Sequence, residues 1–299
     1  MKVCLYNSYK AGAIVGDKVY SIGDFLVQKA LVKRDYTMVE IVEGLTNNPA
    51  VAKAVEECIK SDKSTSLNKV TLRAPIYNPS AIWAAAANYA AHAKEDFSVA
   101  GHPYAQRADI QKKEGPPDHE ALMSELFLKP PSSIIGPNET IVIPNPKSWV
   151  DYECELAAVI GKKAKNVSEK DSLDYVFGYT ILMDISQREP GGSRSIRKGF
   201  DTYTPIGPWI VSADEVPDPQ NLKLKVVKNG EVTMEATSKD MICTVRELVR
   251  YLSNVITLRP GDIITTGTAP GSRKIDDGDN IKASIERVGE MELKVKVLK

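Results

Sequence analysis

The chain has 299 residues, of which 42% are hydrophobic and 26% are charged, as in an ordinary soluble globular protein with an extensive core. Lys plus Arg and Asp plus Glu number 39 each, so no long-range charge attracts nucleic acid or an anionic membrane, and neither partner is expected. The four cysteines lack the spacing of a disulfide framework or a zinc site. Because the first residues also lack the apolar core of a signal peptide, we predict a cytoplasmic protein.

Residues 1–70 are predicted to form a small N-terminal α/β domain. "KVCLYN" and "KVYSIG" are strand-like, with turn residues between them. Asn48 is a candidate N-cap and Pro49 a candidate first helical position. The apolar stripe that follows has helical spacing and consists of Val51, Val55, Cys58 and Ile59.

Residues 71–299 are dominated by strand patterns, so the predicted fold class is α+β and mainly β. Asn229-Gly230 is a favoured two-residue hairpin turn between two alternating segments. Thr244 and Glu247 have the spacing of a capping box and open an amphipathic helix. Residues 96–125 are polar and turn-rich, and we expect such a long segment, like residues 191–197, to be mobile without substrate.

Two carboxylates stand at the head of the apolar segment "DYECELAAVIG". Glu153 and Glu155 are two residues apart, so on a strand they point to the same face and repel each other. Asp184 ends another strand-like segment, and if the two strands are neighbours the three acids converge. Such oxygen ligands suit Mg²⁺, Mn²⁺ or Ca²⁺. The alternative is a sheet edge whose acids face water and pair with Lys162 or Lys163.

Three further groups are candidates for chemistry. His92 and Glu95 are three apart on a predicted helix, where they form either a general base for water or a surface ion pair. Lys198 is either a group that stabilises a developing oxyanion or a solvated lysine. The loop "TTGTAPGS", with Thr268, either brings backbone N–H groups to an anionic ligand or forms a tight turn.

The order of these segments resembles the fumarylacetoacetate hydrolase family. The blocks "NYAAHAKE", "FLKPPSSIIGP", "DYECELAAVIGK", "DYVFGYTILMDIS", "KGFDTYTPIGPW" and "TLRPGDIITTGT" follow one another as they do in that family, over roughly residues 70–299. The resemblance implies a catalytic domain folded as a mixed β-sandwich roll, and usually a homodimer. The sequence departs from the family pattern in three places: at Gln187 and Glu189, in the Gly/Ser/Arg-rich stretch "REPGGSRSIRKG", and in the position of the proline in "TGTAPGS".

The resemblance also assigns roles to residues of this chain. It implies Mg²⁺ or Mn²⁺ ligands at Glu153, Glu155 and Asp184, and catalytic groups at His92, Glu95 and Lys198. The residues expected to bind substrate are Tyr89, Arg188 and Thr268.

The predicted activity follows from the same resemblance. It is a divalent-metal-dependent hydrolysis of a C–C bond in a small 2,4-dioxo acid, such as an acylpyruvate, through an enolate and a water activated by His92 and Glu95. The alternatives are an oxaloacetate decarboxylase, a keto–enol isomerase and a non-catalytic binding protein. The intact dyad and acids argue against the last of these, since a binding protein needs no general base.

Overall fold

The computed structural model describes residues 1–34, 36–61, 63–93, 117–188 and 193–299. Most of the segment 96–125 lies outside these residues, and its described end contains a short helix, α5 (His119–Met123). Gly191 also lies outside them, whereas residues 194–197 form helix α6. The mobility of both segments stays a prediction.

Strands dominate the described residues, which confirms the mainly β fold class. The strands are β1 (Lys2–Tyr6), β2 (Lys10–Val15), β3 (Lys18–Tyr20), β4 (Ser64–Ser66), β5 (Leu72–Arg73), β6 (Ile82–Ala84), β7 (Phe127–Lys129), β8 (Ile134–Ile135), β9 (Thr140–Ile143), β10 (Val150–Ile160), β11 (Val176–Gln187), β12 (Thr204–Ser212), β13 (Lys223–Lys228), β14 (Glu231–Thr237), β15 (Ile263–Thr265), β16 (Asn280–Ile285) and β17 (Gly289–Val297). The helices are α1 (Ile22–Gln28), α2 (Met38–Asn47), α3 (Pro49–Lys60), α4 (Ala90–Ala93), α5 (His119–Met123), α6 (Arg194–Arg197) and α7 (Val245–Val255).

The larger sheet curls back on itself. Within the described residues its strand order is β4-β3-β2-β1-β12-β11-β10-β15-β6-β7, with β5 beside β1. Only four residues separate β7 from β8, and β8 pairs with β12 on the far side of the order. Strands β12, β11, β10, β15, β6 and β7 therefore surround a common interior, which brings side chains of non-neighbouring strands together.

A second sheet packs against the first and closes the main hydrophobic core. Its order in the described part of the chain is β14-β13-β16-β17-β9. The predicted hairpin joins β13 to β14, with positive φ at both Asn229 and Gly230. Helix α7 begins with the predicted capping box, in which the Thr244 hydroxyl accepts from the Glu247 N–H and the Glu247 carboxylate accepts from the Thr244 N–H. Two layers of sheet with one amphipathic helix thus form the sandwich roll.

The N-terminal strands belong to the same large sheet. Strand β1 pairs with β12, and helices α1 to α3 cover one face of that sheet. As predicted, Asn48 caps α3, its side chain accepting from the Ala50 N–H, and Pro49 occupies the first turn. The division of the chain at residue 70 stays a prediction.

Strand β10 is buried along its whole length, yet its two faces differ. The even-numbered residues from Tyr152 to Ala158 enter the core between the sheets. On the opposite face the first half carries acids, whereas Ala157 and Val159 pack into the apolar cluster under the N-terminal helices. One strand therefore supplies a polar site and two hydrophobic cores.

Candidate active site

The structure brings the three predicted metal ligands together. Strands β10 and β11 are antiparallel neighbours, and Glu153 stands directly opposite Asp184. Glu155, two residues further along β10, points to the same face. One carboxylate oxygen from each of the three residues lies within 4.8 Å of the others, and all three side chains are buried.

Two buried lysines contact this group of acids. The Lys198 ammonium donates to Glu153 Oε2 at 2.9 Å, to Asp184 Oδ2 at 2.6 Å and to the Ser186 hydroxyl at 2.6 Å. The Lys129 ammonium donates to Asp184 Oδ1 at 2.7 Å and to the Lys198 carbonyl. Burial acts to lower the pKa of both amines. It prevails for Lys129, whereas the carboxylates of Asp184 and Glu153 raise the pKa of Lys198.

Arg188 completes the cationic side of the site. Its guanidinium binds both oxygens of Asp151 at 2.8 Å and also contacts Glu153 Oε1. Burial acts to lower its pKa, but Asp151 and Glu153 raise it well above the ordinary value. Arg188 therefore orients an acid of the predicted metal site, and its predicted role in substrate binding stays a prediction.

The acids are not solvent-exposed partners of Lys162 or Lys163, as the alternative required. Lys162 instead lies over the Tyr175 ring at 4.6 Å. Among the described residues, the site holds four buried carboxylates, from Asp151, Glu153, Glu155 and Asp184, and three buried cations, from Lys129, Arg188 and Lys198. Within this set the carboxylates outnumber the cations by one.

Glu155 is the acid of this site that no cation contacts within the described part of the chain. Its Oε2 accepts the Gly267 N–H at 2.8 Å, whereas its Oε1 is buried without a hydrogen-bond partner among the described residues. Burial raises its pKa well above the ordinary value, and the neighbouring Asp184 and Glu153 raise it further. A divalent cation fits this site, because it would bind the orphaned oxygen and supply the missing positive charge.

The structure describes the remaining predicted site residues to different extents. Tyr89 is fully buried, its hydroxyl has no described partner, and burial together with the Glu155 charge raises its pKa. Thr268 is buried in the loop after β15 and donates to the adjacent Ala269 carbonyl. His92 lies in α4, one turn after Tyr89, and Glu95 lies outside the described residues.

Sequence reasoning gave no role to Lys129, Asp151 or Ser186, although all three contact the site. Asp151 starts the acidic stretch, so its position two residues before Glu153 was the available signal. Lys129 lies on β7, four places from β11 in the sheet order, and only the curl of the sheet brings it to Asp184. No local pattern in the sequence indicates that contact.

Comparisons with known proteins identify the family of the chain. Residues 81–296 match the family model described as "Fumarylacetoacetate (FAA) hydrolase C-terminal". The chain is 36% identical over 298 residues to a maleylpyruvate hydrolase of Aquipseudomonas alcaligenes, covering 99% of both proteins.

Two solved structures extend the comparison. One is the maleylpyruvate hydrolase of Sphingobium sp. SYK-6 in complex with manganese(II) and pyruvate, at 30% identity, a TM-score of 0.81 and full coverage of both chains. The other is a 5-carboxymethyl-2-hydroxymuconate delta-isomerase of Mycobacterium smegmatis, at 28% identity, a TM-score of 0.72 and full coverage of both chains.

The curled sheet gathers buried acids and lysines in its interior. The relatives that share this fold include metal-binding hydrolases. The chain belongs to the fumarylacetoacetate hydrolase family, as its sequence blocks predicted. None of the described helices is long and apolar enough to cross a membrane.

Proposed function

We propose that this protein is a divalent-metal-dependent hydrolase that cleaves the C–C bond of an acylpyruvate. The observation that carries the proposal is the buried site in which the described carboxylates outnumber the described cations, on a fold shared over its full length with maleylpyruvate hydrolases. The reaction adds water across the bond between the acyl carbon and the methylene group. It releases a carboxylic acid and pyruvate, and pyruvate is present in the complex of the relative from Sphingobium.

The donor set fits Mn²⁺ or Mg²⁺, with Ca²⁺ as a further candidate for the same oxygen ligands. Glu153, Glu155 and Asp184 would hold the cation, which would polarise the oxo group of the substrate and stabilise the charge that develops on it. A bound divalent cation would add two positive charges to the buried groups of the site. The site would then attract the carboxylate of an oxo acid more strongly than it does without metal.

Other residues of the chain would stabilise the oxyanion, activate the water and bind the substrate. Lys198 donates to both Glu153 and Asp184, so its ammonium is held beside two of the proposed metal ligands, where it would stabilise a developing oxyanion. His92, with Glu95 as the group that orients it, would take a proton from the attacking water. The Tyr89 hydroxyl, buried without a described partner, and Thr268 and Arg188 are proposed to bind the substrate.

The test is an assay of purified protein with acylpyruvates and Mn²⁺ or Mg²⁺, in which both products are identified. Wild type should form pyruvate and the matching acid in equal amounts, only with metal. Glu155→Gln should lose Mn²⁺ binding and activity, whereas His92→Ala should bind Mn²⁺ normally and lose a factor of about 10²–10⁴ in kcat. Metal-dependent turnover in which no pyruvate is released would contradict the hydrolase assignment.

The second candidate activity is a keto–enol or double-bond isomerisation. The full-length similarity to the Mycobacterium smegmatis isomerase supports it. An isomerase moves a proton and needs no attacking water, so its product has the same mass as its substrate. The same assay separates the two activities by product mass, and oxaloacetate as a further substrate tests for decarboxylation.

We further propose a cytoplasmic homodimer. The four cysteines are all free and buried, which supports a reducing compartment. The dimer rests on the family resemblance and on a net charge of zero, which leaves no general repulsion between copies. Sedimentation at several protein concentrations would give the mass of the particle, and a monomer at all of them would contradict the dimer.

A further inference from the structure

Asn88 stands one residue before Tyr89 and is buried, with 1% of its surface exposed. Its amide Nδ2 donates to the Cys243 carbonyl at 2.8 Å and to the Thr266 carbonyl at 2.9 Å. Its Oδ1 accepts from the Cys243 N–H at 2.7 Å. Both amide hydrogens are therefore used, and the paired bonds to Cys243 fix which way the amide group faces.

The Thr266 carbonyl and the Gly267 N–H belong to one peptide group. Asn88 binds the carbonyl end of that peptide, and the N–H end donates to Glu155 Oε2 at 2.8 Å. Hydrogen bonds connected in this way polarise one another, so the donor from Asn88 strengthens the bond that Glu155 receives. The side chain of Asn88 thus acts on Glu155 through a single peptide.

Steric contact reinforces the hydrogen bonds. Gly267 has a φ of +77°, and a Cβ placed there would lie 3.0 Å from the Cβ of Asn88. The backbone of Gly267 therefore packs closely against the Asn88 side chain, in a conformation that other residues rarely adopt. The 266–267 peptide has little freedom to turn while Asn88 is in place.

We propose that Asn88 is a positioning residue for the metal centre, which aims Glu155 at the cation by fixing the 266–267 peptide. This inference rests on the proposed function, since it takes Glu155 to be a metal ligand. Without the Asn88 amide, the buried Thr266 carbonyl loses its partner and the peptide is free to rotate. A rotated peptide presents its carbonyl oxygen to the Glu155 carboxylate, which repels it.

The test is calorimetric titration of the full chain with Mn²⁺. Asn88→Ala should weaken Mn²⁺ affinity by about tenfold, as expected for residues that support a metal ligand. Asn88→Asp keeps the acceptor for the Cys243 N–H but offers no donor to Thr266 when ionised, and should weaken it at least as much. Asn88→Ser retains one donor and should show a smaller loss.

Gln220→Ala is the matched control. Gln220 is also an amide that bridges backbone groups at the start of α7, since it accepts from the Val245 N–H at 2.9 Å and donates to the Ser238 carbonyl at 3.3 Å. It makes no bond to Thr266, so its loss should leave Mn²⁺ affinity at the wild-type value. An equal loss in this control would show that general loosening near α7 is responsible, and would overturn the proposal.

Hydrogen exchange of the metal-free proteins supplies a second readout. Exchange at residues 266–267 should rise in the Asn88 variants and stay unchanged in Gln220→Ala. If Asn88→Ala fails to fold, Asn88→Ser decides, and wild-type affinity with wild-type exchange in a folded variant overturns the role of Asn88. Absence of Mn²⁺ binding by the wild type would overturn the metal site and this inference together.

Discussion

Glu155 differs from the other acids of the site because no lysine or arginine among the described residues contacts it. Asp184 and Glu153 are each bound by two cations, and Asp151 shares a bidentate pair with Arg188. Glu155 receives one backbone N–H instead. A divalent cation bound at this site would therefore stabilise the ionised form of Glu155.

The raised pKa of Glu155 predicts opposite pH trends for stability and for metal binding. The folded state keeps the proton above the usual pKa of 4.5, so metal-free stability is complete below that pH and falls as the pH rises toward the folded-state pKa. Mn²⁺ must displace the same proton, so its affinity should rise by about tenfold per pH unit across this window.

Calorimetry in buffers of different ionisation enthalpy should detect about one proton released per Mn²⁺ bound. Urea unfolding of the metal-free protein across the same pH range measures the stability trend, and Glu155→Gln should flatten it. Mn²⁺ affinity that does not change with pH would show that Glu155 is already ionised in the metal-free protein.

At the scale of elements, the sequence predicts those caps and turns that depend on only a few neighbouring residues. The Asn48 cap, the Asn229-Gly230 turn and the Thr244 capping box all form where short patterns predict them. The contact between Lys129 and Asp184 could not be predicted in this way, because it depends on how far the sheet curls. The convergence of Glu153 with Asp184 lies between the two cases, since it needed only the pairing of β10 with β11.

The glycine loop after β15 supplies an element-scale prediction with a close control. Gly267 and Gly230 both have a strongly positive φ, but only Gly267 is crowded, since nothing lies within 4 Å of a Cβ at Gly230. Each substitution to alanine should lower the free energy of unfolding by about 1–2 kcal/mol through backbone strain. Only Gly267→Ala should also weaken Mn²⁺ binding, because it displaces the N–H that Glu155 accepts.

Thermal unfolding and Mn²⁺ titration of both alanine variants test this expectation. Equal Mn²⁺ affinities in the two proteins would show that the position of the Gly267 N–H is unimportant for the site.

At the scale of the whole molecule, residues 1–70 and residues 71–299, which the sequence predicts to be two domains, contribute to one hydrophobic core. Val3 and Ile41 from the N-terminal part pack in the same cluster as Val159, Leu182 and Ile210 from the rest of the chain. Strand β1 also hydrogen-bonds to β12. We therefore expect residues 1–70 to stabilise the sheet that carries the site.

Expression of residues 71–299 alone tests that dependence. The truncated chain would expose Leu182, Val159 and the edge of β12, so it should unfold at a lower temperature than the full chain and aggregate. Size-exclusion chromatography and thermal unfolding measure both effects. A monodisperse fragment with the unfolding temperature and Mn²⁺ affinity of the full protein would instead establish residues 71–299 as an independent domain.

The two-faced character of β10 also protects the chain against misfolding. If the register of β10 shifted by one residue relative to its neighbours, each of its side chains would move to the opposite face of the sheet. Glu153 and Glu155 would then enter the apolar layer between the sheets. Tyr152 and Cys154 would take their places beside the lysines. Burying two carboxylates without partners is costly, so this misalignment is strongly disfavoured. The acids of the proposed metal site thus also help to select the correct register of β10 during folding.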